Sequence, residues 1–387
     1  MSACLAIDYN VHKPSSQSRA QRVLVADDQT DVREALRLLL KGAGFHASTA
    51  SSPAELLEIA SAQSFNLILM DMNYSRDTTS GEEGLRLLEQ LHARHRDTPI
   101  IVMTAWGDVE LAVEAMRRGA ADFVQKPWDN KRLLSSITNR LEQERRTHSE
   151  LDIARRVQQK LLPQGSKHLR TAMFAGRCQP ASEIGGDYFD FFDLGPEHAG
   201  FVLADVSGKG MAAAMLMANL QALFRSQASL ASVCPEQILE SVNGLFYAST
   251  NPEHYTTLFF GHYDDQTRRL AYINCGHPPP LLVRADGAVE RLSATATVLG
   301  LFPKWKGSAA EIAIAPGDTL LAYSDGITEA GIGAGDDFGE ERLLSVALAT
   351  RHLPLEVMID NAMRAAQAFE QGEQSDDCTL LGLRAME

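Results

Sequence analysis

Aspartates recur in this 387-residue chain at two kinds of place, the ends of apolar runs and turns rich in glycine. Asp27 and Asp28 follow the run Val23–Ala26, Asp71 closes Leu67–Met70, Thr104 closes Ile100–Met103, and Lys126 follows Asp122–Val124. Carboxylates that meet at strand ends repel one another, so a hard cation is implied; Mg²⁺ takes one or two carboxylates and keeps waters for a phosphate. A carboxylate beside that ion can attack phosphorus, and a nearby lysine can neutralise the phosphoryl oxygens. The second group of acids lies in Glu183-Ile-Gly-Gly-Asp187-Tyr-Phe-Asp190, Ala204-Asp205-Val-Ser-Gly-Lys-Gly210, Tyr323-Ser-Asp325-Gly-Ile-Thr-Glu-Ala330 and Ser375-Asp376-Asp377-Cys-Thr-Leu380. Glycine beside aspartate lets a backbone carbonyl or a water reach a cation with no Cβ in the way. All-oxygen donors select Mg²⁺ or Mn²⁺ over zinc. Two such ions about 3.5–4 Å apart can turn a shared water into hydroxide and clamp a phosphoryl group for in-line displacement.

Two different scaffolds must position these groups. The four apolar runs of the first third fit parallel strands buried on both faces. Amphipathic segments lie between them: Val32, Ala35, Leu36, Leu39 and Leu40 mark one helix, capped by Gly42 or Gly44. Ser52-Pro53 opens another, and Val109, Ala112, Val113 and Met116 mark a third that ends near Gly119. This alternation predicts a doubly wound parallel sheet whose strand ends meet in one crevice. The later pattern differs. Strand-like runs at Thr171–Cys178, Phe201–Ala204, Leu258–Tyr263, Leu270–Ile273, Leu281–Val283 and Leu320–Tyr323 are grouped apart from helical segments at Met211–Ser226, Pro235–Ala248, Glu340–Ala349 and Leu355–Phe369. Grouped strands and grouped helices predict an α+β layered domain, with Met211–Met217 in its core.

Residues 129–162 contain neither glycine nor proline, and Pro163 and Gly165 follow. Leu134, Ile137 and Leu141 step by three and four, and Leu151, Ala154, Gln158 and Leu161 resume the pattern. A helix of about 30 residues would run about 45 Å. It either pairs with a second copy, the favoured reading, or serves as a rigid arm packed on its own domains.

Lys+Arg is 36 and Asp+Glu is 50, a net charge of −14, which argues against a general nucleic-acid or anionic-membrane surface. No run of about 18 apolar residues exists to span a membrane. The polar stretch Lys13 to Arg19 lacks the order of a signal peptide, and residues 1–20 are expected to be a loose tail. The five cysteines are scattered, without a CxxC pair, which fits a reducing, cytoplasmic setting.

On the strand-end residues, positions 22–128 resemble a response-regulator receiver domain. That resemblance implies Asp71 as phospho-acceptor for a sensor histidine kinase, Asp27 and Asp28 as Mg²⁺ holders with Asp71, Thr104 and Phe123 as switch residues, and Lys126 as phosphate partner, with a cis Lys126-Pro127 bond. Receivers usually carry Met-Pro soon after the acceptor; here Met-Asn-Tyr-Ser-Arg-Asp-Thr-Thr-Ser-Gly follows Asp71, longer and without proline.

The glycine-flanked acids, together with Asn274-Cys-Gly-His-Pro-Pro-Pro280, resemble bacterial metal-dependent serine/threonine phosphatases of the PPM family over roughly Ile153 to Leu383. They are most similar to the subgroup that dephosphorylates anti-sigma-factor antagonists. The resemblance implies that Asp205 bridges two Mn²⁺ or Mg²⁺ ions, with Asp187 on one side, Asp325 and Asp376 on the other, and the Val206 carbonyl as a further ligand. Asp377 stands in reserve for Asp376. Taken singly, Asp325-Gly326 is a turn and Ser-Asp-Asp a solvated end or helix cap; Glu183 either orients a water or sits on the surface, Lys209 either touches substrate phosphate or faces solvent, and His277 is structural. Gly185-Gly-Asp-Tyr-Phe superficially resembles the GGDEF cyclase motif but lacks its second acid.

The expectation is a multidomain chain: a tail (1–20), an α/β doubly wound parallel-sheet receiver of flavodoxin-like type (21–128), a long helical connector (129–164) and an α+β layered β-sandwich phosphatase domain (165–387). Such a chain is a response regulator whose output hydrolyses phosphoserine or phosphothreonine on a partner protein. The alternative is a non-catalytic adaptor that binds a sigma factor or its regulator through a phosphatase-like domain.

Overall fold

The computed structural model describes residues 21–74, 81–95, 98–104, 109–230, 234–331, 336–370 and 374–387, and the chain divides into two compact units at Ser149/Glu150. The expected tail and residues 75–80 of the segment after Asp71 lie outside the described residues.

In the first unit β1 (Arg22–Ala26), α1 (Thr30–Gly42), β2 (His46–Ala50), α2 (Pro53–Ala62), β3 (Leu67–Asp71), α3 (Glu82–Arg94), β4 (Ile100–Thr104), α4 (Val109–Arg117) and β5 (Asp122–Gln125) alternate. The five strands are parallel in the order β2-β1-β3-β4-β5. Leu24, Ile68, Met70 and Val102 pack on one face with Leu56 and Leu88, while Val23, Val25, Leu67, Leu69 and Ile101 pack on the other with Leu36 and Leu40. Burial on both faces is why these strands read as unbroken apolar runs. Helix α2 starts where Ser52-Pro53 predicts, with Ser52 Oγ accepting from Glu55 N at 3.3 Å. Gly44, at φ 89°, takes up the left-handed conformation after α1.

Two elements go beyond the sequence pattern. Strand β2 carries no apolar run, because it is an edge strand buried fully only at Ala50. Helix α3 opens on two glycines, which hide it as a loop. Gly84 is required there for contact: a Cβ would stand 2.4 Å from the Met72 carbonyl oxygen.

Helix α5 (Asn130–Leu161) begins in the first unit and ends in the second. Leu133, Ile137 and Leu141 are buried in the first unit's core, so Leu133, not Leu134, is the first full anchor. Ile153 and Val157, one turn apart, stay exposed.

The second unit contains β6 (Lys167–His168), β7 (Ala172–Gln179), β8 (Tyr188–Gly195), β9 (His198–Val206), α6 (Gly210–Leu230), α7 (Pro235–Ser249), β10 (Thr256–Asp264), β11 (Arg269–Cys275), β12 (Leu281–Val283), β13 (Val289–Arg291), β14 (Ala310–Ala313), β15 (Thr319–Tyr323), α8 (Asp325–Thr328), α9 (Gly339–Thr350), α10 (Leu355–Phe369) and β16 (Cys378–Ala385). Its strands form two sheets, β14-β11-β10-β9-β8 and β13-β12-β15-β16-β7-β6, antiparallel throughout. Alternation along the strands sorts three cores. On β9, Phe201 and Leu203 point between the sheets, where they meet Phe174, Phe189 and Leu381. Val202, Ala204 and Val206 point outward to Met217, Leu220 and Val242 of α6 and α7. On the far side Leu321 and Leu380 pack on Leu343 and Met358 of α9 and α10. The result is a helix–sheet–sheet–helix sandwich. Of the Met211–Met217 stretch expected in the core, only part is there: Met217 is buried, but Met211 and Met215 lie on the opposite helix face and are 47% and 67% exposed.

Candidate functional site

Two acid clusters stand at strand ends, one in each unit. In the first, Asp27 after β1, Asp28 and Asp71 at the end of β3 bring ligand oxygens within 4.8 Å of one another. Lys126, just past β5, bridges two of them, with Nζ 2.7 Å from Asp27 Oδ2 and 2.8 Å from Asp71 Oδ2. Burial pushes the Asp71 carboxyl up despite the lysine. Burial works to lower Lys126, yet its bonds to Asp27 and Asp71 hold it above the usual ammonium value. The Lys126-Pro127 bond is cis. Thr104 is buried and its carbonyl accepts from Lys126 N at 2.8 Å, whereas Phe123 on β5 is 46% exposed. Three close carboxylates with one compensating lysine suit a hard divalent ion held by oxygen.

The second cluster follows from strand parity. Asp187 precedes β8 and shares the inward face of Phe189 and Phe191; Asp205 is the last but one residue of β9, on the face of Phe201 and Leu203; Asp377 precedes β16 on the face of Leu381 and Leu383. The pairing of Tyr188 with Ala204 and of Tyr323 with Leu380 brings these ends to one rim of the sandwich. Asp325 opens helix α8 and so does more than make a turn. Gly326 lies against the Asp376-Asp377 backbone, where a Cβ would meet the Asp377 carbonyl oxygen at 2.2 Å.

The charges are strongly coupled. Burial, then the negative charges of Asp205 and Asp377, push the fully buried Asp187 well above the carboxylate range. Burial and the charges of Asp325, Asp376 and Asp377 push Asp205 up to about 7. Burial and Asp376 likewise raise Asp325, and burial with Asp325 and Asp376 raises Glu329, an acid the motif reading left out. Asp187 Oδ2 is buried without a hydrogen-bond partner among the described residues. An orphaned carboxylate oxygen amid like charges is costly unless a cation meets it. A Cβ on Gly186 would stand 3.0 Å from the Val206 carbonyl oxygen, so that carbonyl has glycine as its neighbour. The donor set is all oxygen and therefore fits Mg²⁺ or Mn²⁺.

The adjacent acids Asp376 and Asp377 have different surroundings. Asp377 Oδ1 accepts from Ala181 N at 2.8 Å, and Oδ2 accepts from Gly186 N at 2.6 Å and Asp187 N at 3.3 Å. Asp376 instead faces Lys209, whose Nζ is 2.9 Å from Oδ2 and donates to the Ser375 carbonyl at 2.8 Å. Glu183 pairs with Arg155 at 3.4 Å. His277 is buried, its Nδ1 is 3.0 Å from Thr257 Oγ1, and Asn274 accepts from its backbone N–H at 2.9 Å. Asp190, in the same segment as Asp187, points the other way and meets Arg225 of α6 at 2.7 Å.

Comparison with known proteins agrees with both halves. Residues 23–138 match the response regulator receiver domain, and residues 195–386 match the family described as Stage II sporulation protein E (SpoIIE). The chain therefore joins a response-regulator receiver domain to a SpoIIE/PP2C-type domain. Protein IcfG of Synechocystis sp. is 28% identical over 262 residues, covering 60% of this chain and 41% of that protein. Phosphoserine phosphatase RsbP of Bacillus subtilis is 25% identical over 187 residues, covering 47% of this chain and 46% of that one. The chain thus spans less than half the length of these two relatives. The SiaA-PP2C domain of Pseudomonas aeruginosa has the same fold, with a TM-score of 0.54 at 19% identity over 63% of this chain and 98% of that domain. Among the described residues, no helix is long and apolar enough to cross a membrane.

Proposed function

We propose that the second unit is a metal-dependent phosphoserine/phosphothreonine protein phosphatase and that phosphorylation of Asp71 controls it. The observation that supports the reading is a chain of like-charge coupling: Asp205 feels Asp325, Asp376 and Asp377, and Asp187, whose buried Oδ2 has no hydrogen-bond partner among the described residues, feels Asp205 and Asp377. The side chains of Asp187, Asp205, Asp325 and Asp376 and the Val206 carbonyl would hold two divalent ions. Once bound, such a pair supplies a nucleophilic water near neutral pH and stabilises charge on the phosphoryl oxygens. Asp377 fixes the backbone of Gly186 and Asp187, and Ser324 Oγ fixes Asp377 by donating to its carbonyl at 3.0 Å. In the reaction the ester P–O bond breaks, a P–O bond from water forms, and the serine or threonine oxygen leaves with one proton.

In the first unit a sensor histidine kinase is the phosphoryl donor: an Asp71 oxygen bonds phosphorus as the donor's P–N bond breaks. An ion held by Asp27, Asp28 and Asp71 and the Lys126 ammonium would neutralise the phosphoryl oxygens, with Thr104 and Phe123 reporting the change. The printed name of RsbP, a phosphoserine phosphatase, supports a phosphorylated protein as substrate, and the motif resemblance narrows the proposal to an anti-sigma-factor antagonist. Exposed Ile153 and Val157 support pairing of two copies through the connector; the scattered cysteines, without a CxxC pair, support a cytoplasmic setting.

The test is phosphate release from p-nitrophenyl phosphate with Mn²⁺. Wild type should release phosphate, and Asp205→Ala should lose about a hundredfold or more, since even outer partners of a metal ligand are worth roughly 10- to 100-fold. No release with any divalent ion would favour the adaptor reading. Asp71→Asn should abolish the response of that rate to acetyl phosphate; a variant that still responds places the switch elsewhere.

A further inference from the structure

Gln158 is a polar residue on the apolar seam of α5, about two turns into the part of the helix that belongs to the second unit. It is buried, and its side-chain amide makes a two-way pair with one peptide: Nε2 donates to the Gly185 carbonyl at 2.7 Å, and Oε1 accepts from Gly185 N at 3.1 Å. Only one orientation of the amide satisfies both groups, so the pairing fixes the side chain as well as the peptide.

The peptide it holds matters. Gly185 is two residues before Asp187, and the far side of this stretch is gripped by Asp377, which accepts from Gly186 N and Asp187 N. There is no slack between the two grips, because a Cβ on Gly185 would stand 2.2 Å from Asp377 Oδ2. The Gly185-Gly186-Asp187 backbone is therefore clamped between the C-terminal segment and α5, with Asp187 Oδ2 buried at the end of the clamp.

We propose that Gln158 is a positioning residue for the metal site: by pairing with the Gly185 peptide it sets where Asp187 presents its carboxylate, and so sets affinity for the divalent ions. The proposal rests on the metal-dependent phosphatase reading. It also gives α5 a handle on that site, since the helix that carries Gln158 starts at Asn130 in the receiver unit.

The experiment uses the full chain with Asp27→Asn and Asp28→Asn, so that the receiver holds no ion. Mn²⁺ binding is read by the electron paramagnetic resonance of free Mn²⁺, and hydrolysis of p-nitrophenyl phosphate is followed in the same titration. Gln158→Met keeps length and apolar packing but leaves the Gly185 peptide unpaired. It should weaken Mn²⁺ binding roughly 10- to 100-fold, the usual cost of losing a partner outside the ligand shell. The rate should recover at saturating Mn²⁺, with KM for the ester unchanged. Gln158→Glu keeps an acceptor for Gly185 N and should fall between. Should Gln158→Met fail to fold, Gln158→Glu decides by the same titration. Equal Mn²⁺ affinity in folded variants and parent, whatever their melting temperatures, would overturn the proposal and leave the phosphatase reading standing. A parent that binds no Mn²⁺ would overturn both.

Discussion

In the receiver unit two buried carboxylates share an internal lysine; in the sandwich unit Asp187, Asp205, Asp325 and Asp376 are linked by pairwise charge repulsion and the lysine beside them stays outside. Lys126 reaches Asp27 and Asp71 with its side chain only 21% exposed, whereas Lys209 meets Asp376 with 70% of its side chain in solvent. The same number of lysines therefore does unequal amounts of compensation. In the first unit the ammonium is part of the fold and offsets part of the repulsion. In the second, Asp187 Oδ2 has no hydrogen-bond partner among the described residues and Asp205 is pushed up to about 7, so the repulsion is left for protons or, on the proposed reading, cations to relieve. On the proposed reading the contrast is functional: a receiver has to hold its shape before it is phosphorylated, whereas a hydrolytic site can leave its charge unbalanced until metal arrives.

The sharpest way to break this contrast is to remove the internal lysine. Lys126→Met leaves Asp27 and Asp71 buried and unpaired, and stripping one partner from a buried pair costs about 3–5 kcal/mol. In metal-free buffer the variant should unfold at lower urea by about that amount, read from hydrogen exchange of the β1 and β3 amides. Added Mg²⁺ should restore much of the loss. An unchanged midpoint would mean that Lys126 compensates nothing.

Acid separates the units next, because the described receiver residues hold no buried histidine while the sandwich holds His277, pushed down by burial to about 3. The unfolded chain takes up a proton near pH 6.5 and the folded His277 does not. Its contribution is therefore complete above 6.5 and declines as pH falls toward 3. At about 1.4 kcal/mol per pH unit the sandwich should lose about 2 kcal/mol from this group by pH 5. His277→Asn lowers the baseline but should flatten the pH slope by that amount in urea unfolding followed at Trp305. Parallel slopes in the two proteins would show that His277 titrates normally.

Much of this could be read from residue order, and the gaps have physical causes. Period and glycine placement pointed to the acids that the structure sets at strand ends and turns in both units, because strands buried on two faces and glycine-rich turns leave strong local signals. Strand β16 escaped because Leu380-Leu381 has no alternation: one residue faces α9 and α10, the other lies between the sheets. Strand β8 was masked by its acids, Asp190 being balanced by Arg225 from a distant helix. The distinction between Asp376 and Asp377 is invisible in sequence, since it depends on which carboxylate meets the backbone of residues 186 and 187 across the sandwich. Gln158 did leave a trace, a polar residue in phase with Leu151, Ala154 and Leu161. That pattern could not reveal its partner, 27 residues away.

The smallest effect tests the other lysine. Lys209 is largely solvated, so its pairing with Asp376 contributes about 0–1 kcal/mol to stability, and Lys209→Met should leave the unfolding midpoint of the sandwich almost unmoved. Its influence should appear in metal binding instead. In the absence of ions the ammonium occupies one oxygen of Asp376 and must let go before that oxygen can serve a cation. Removing it should therefore tighten Mn²⁺ binding, by no more than about fivefold given the modest energy of an exposed pair. Weaker Mn²⁺ binding in Lys209→Met would show that the lysine helps to build the site, and the contrast with Lys126 would disappear.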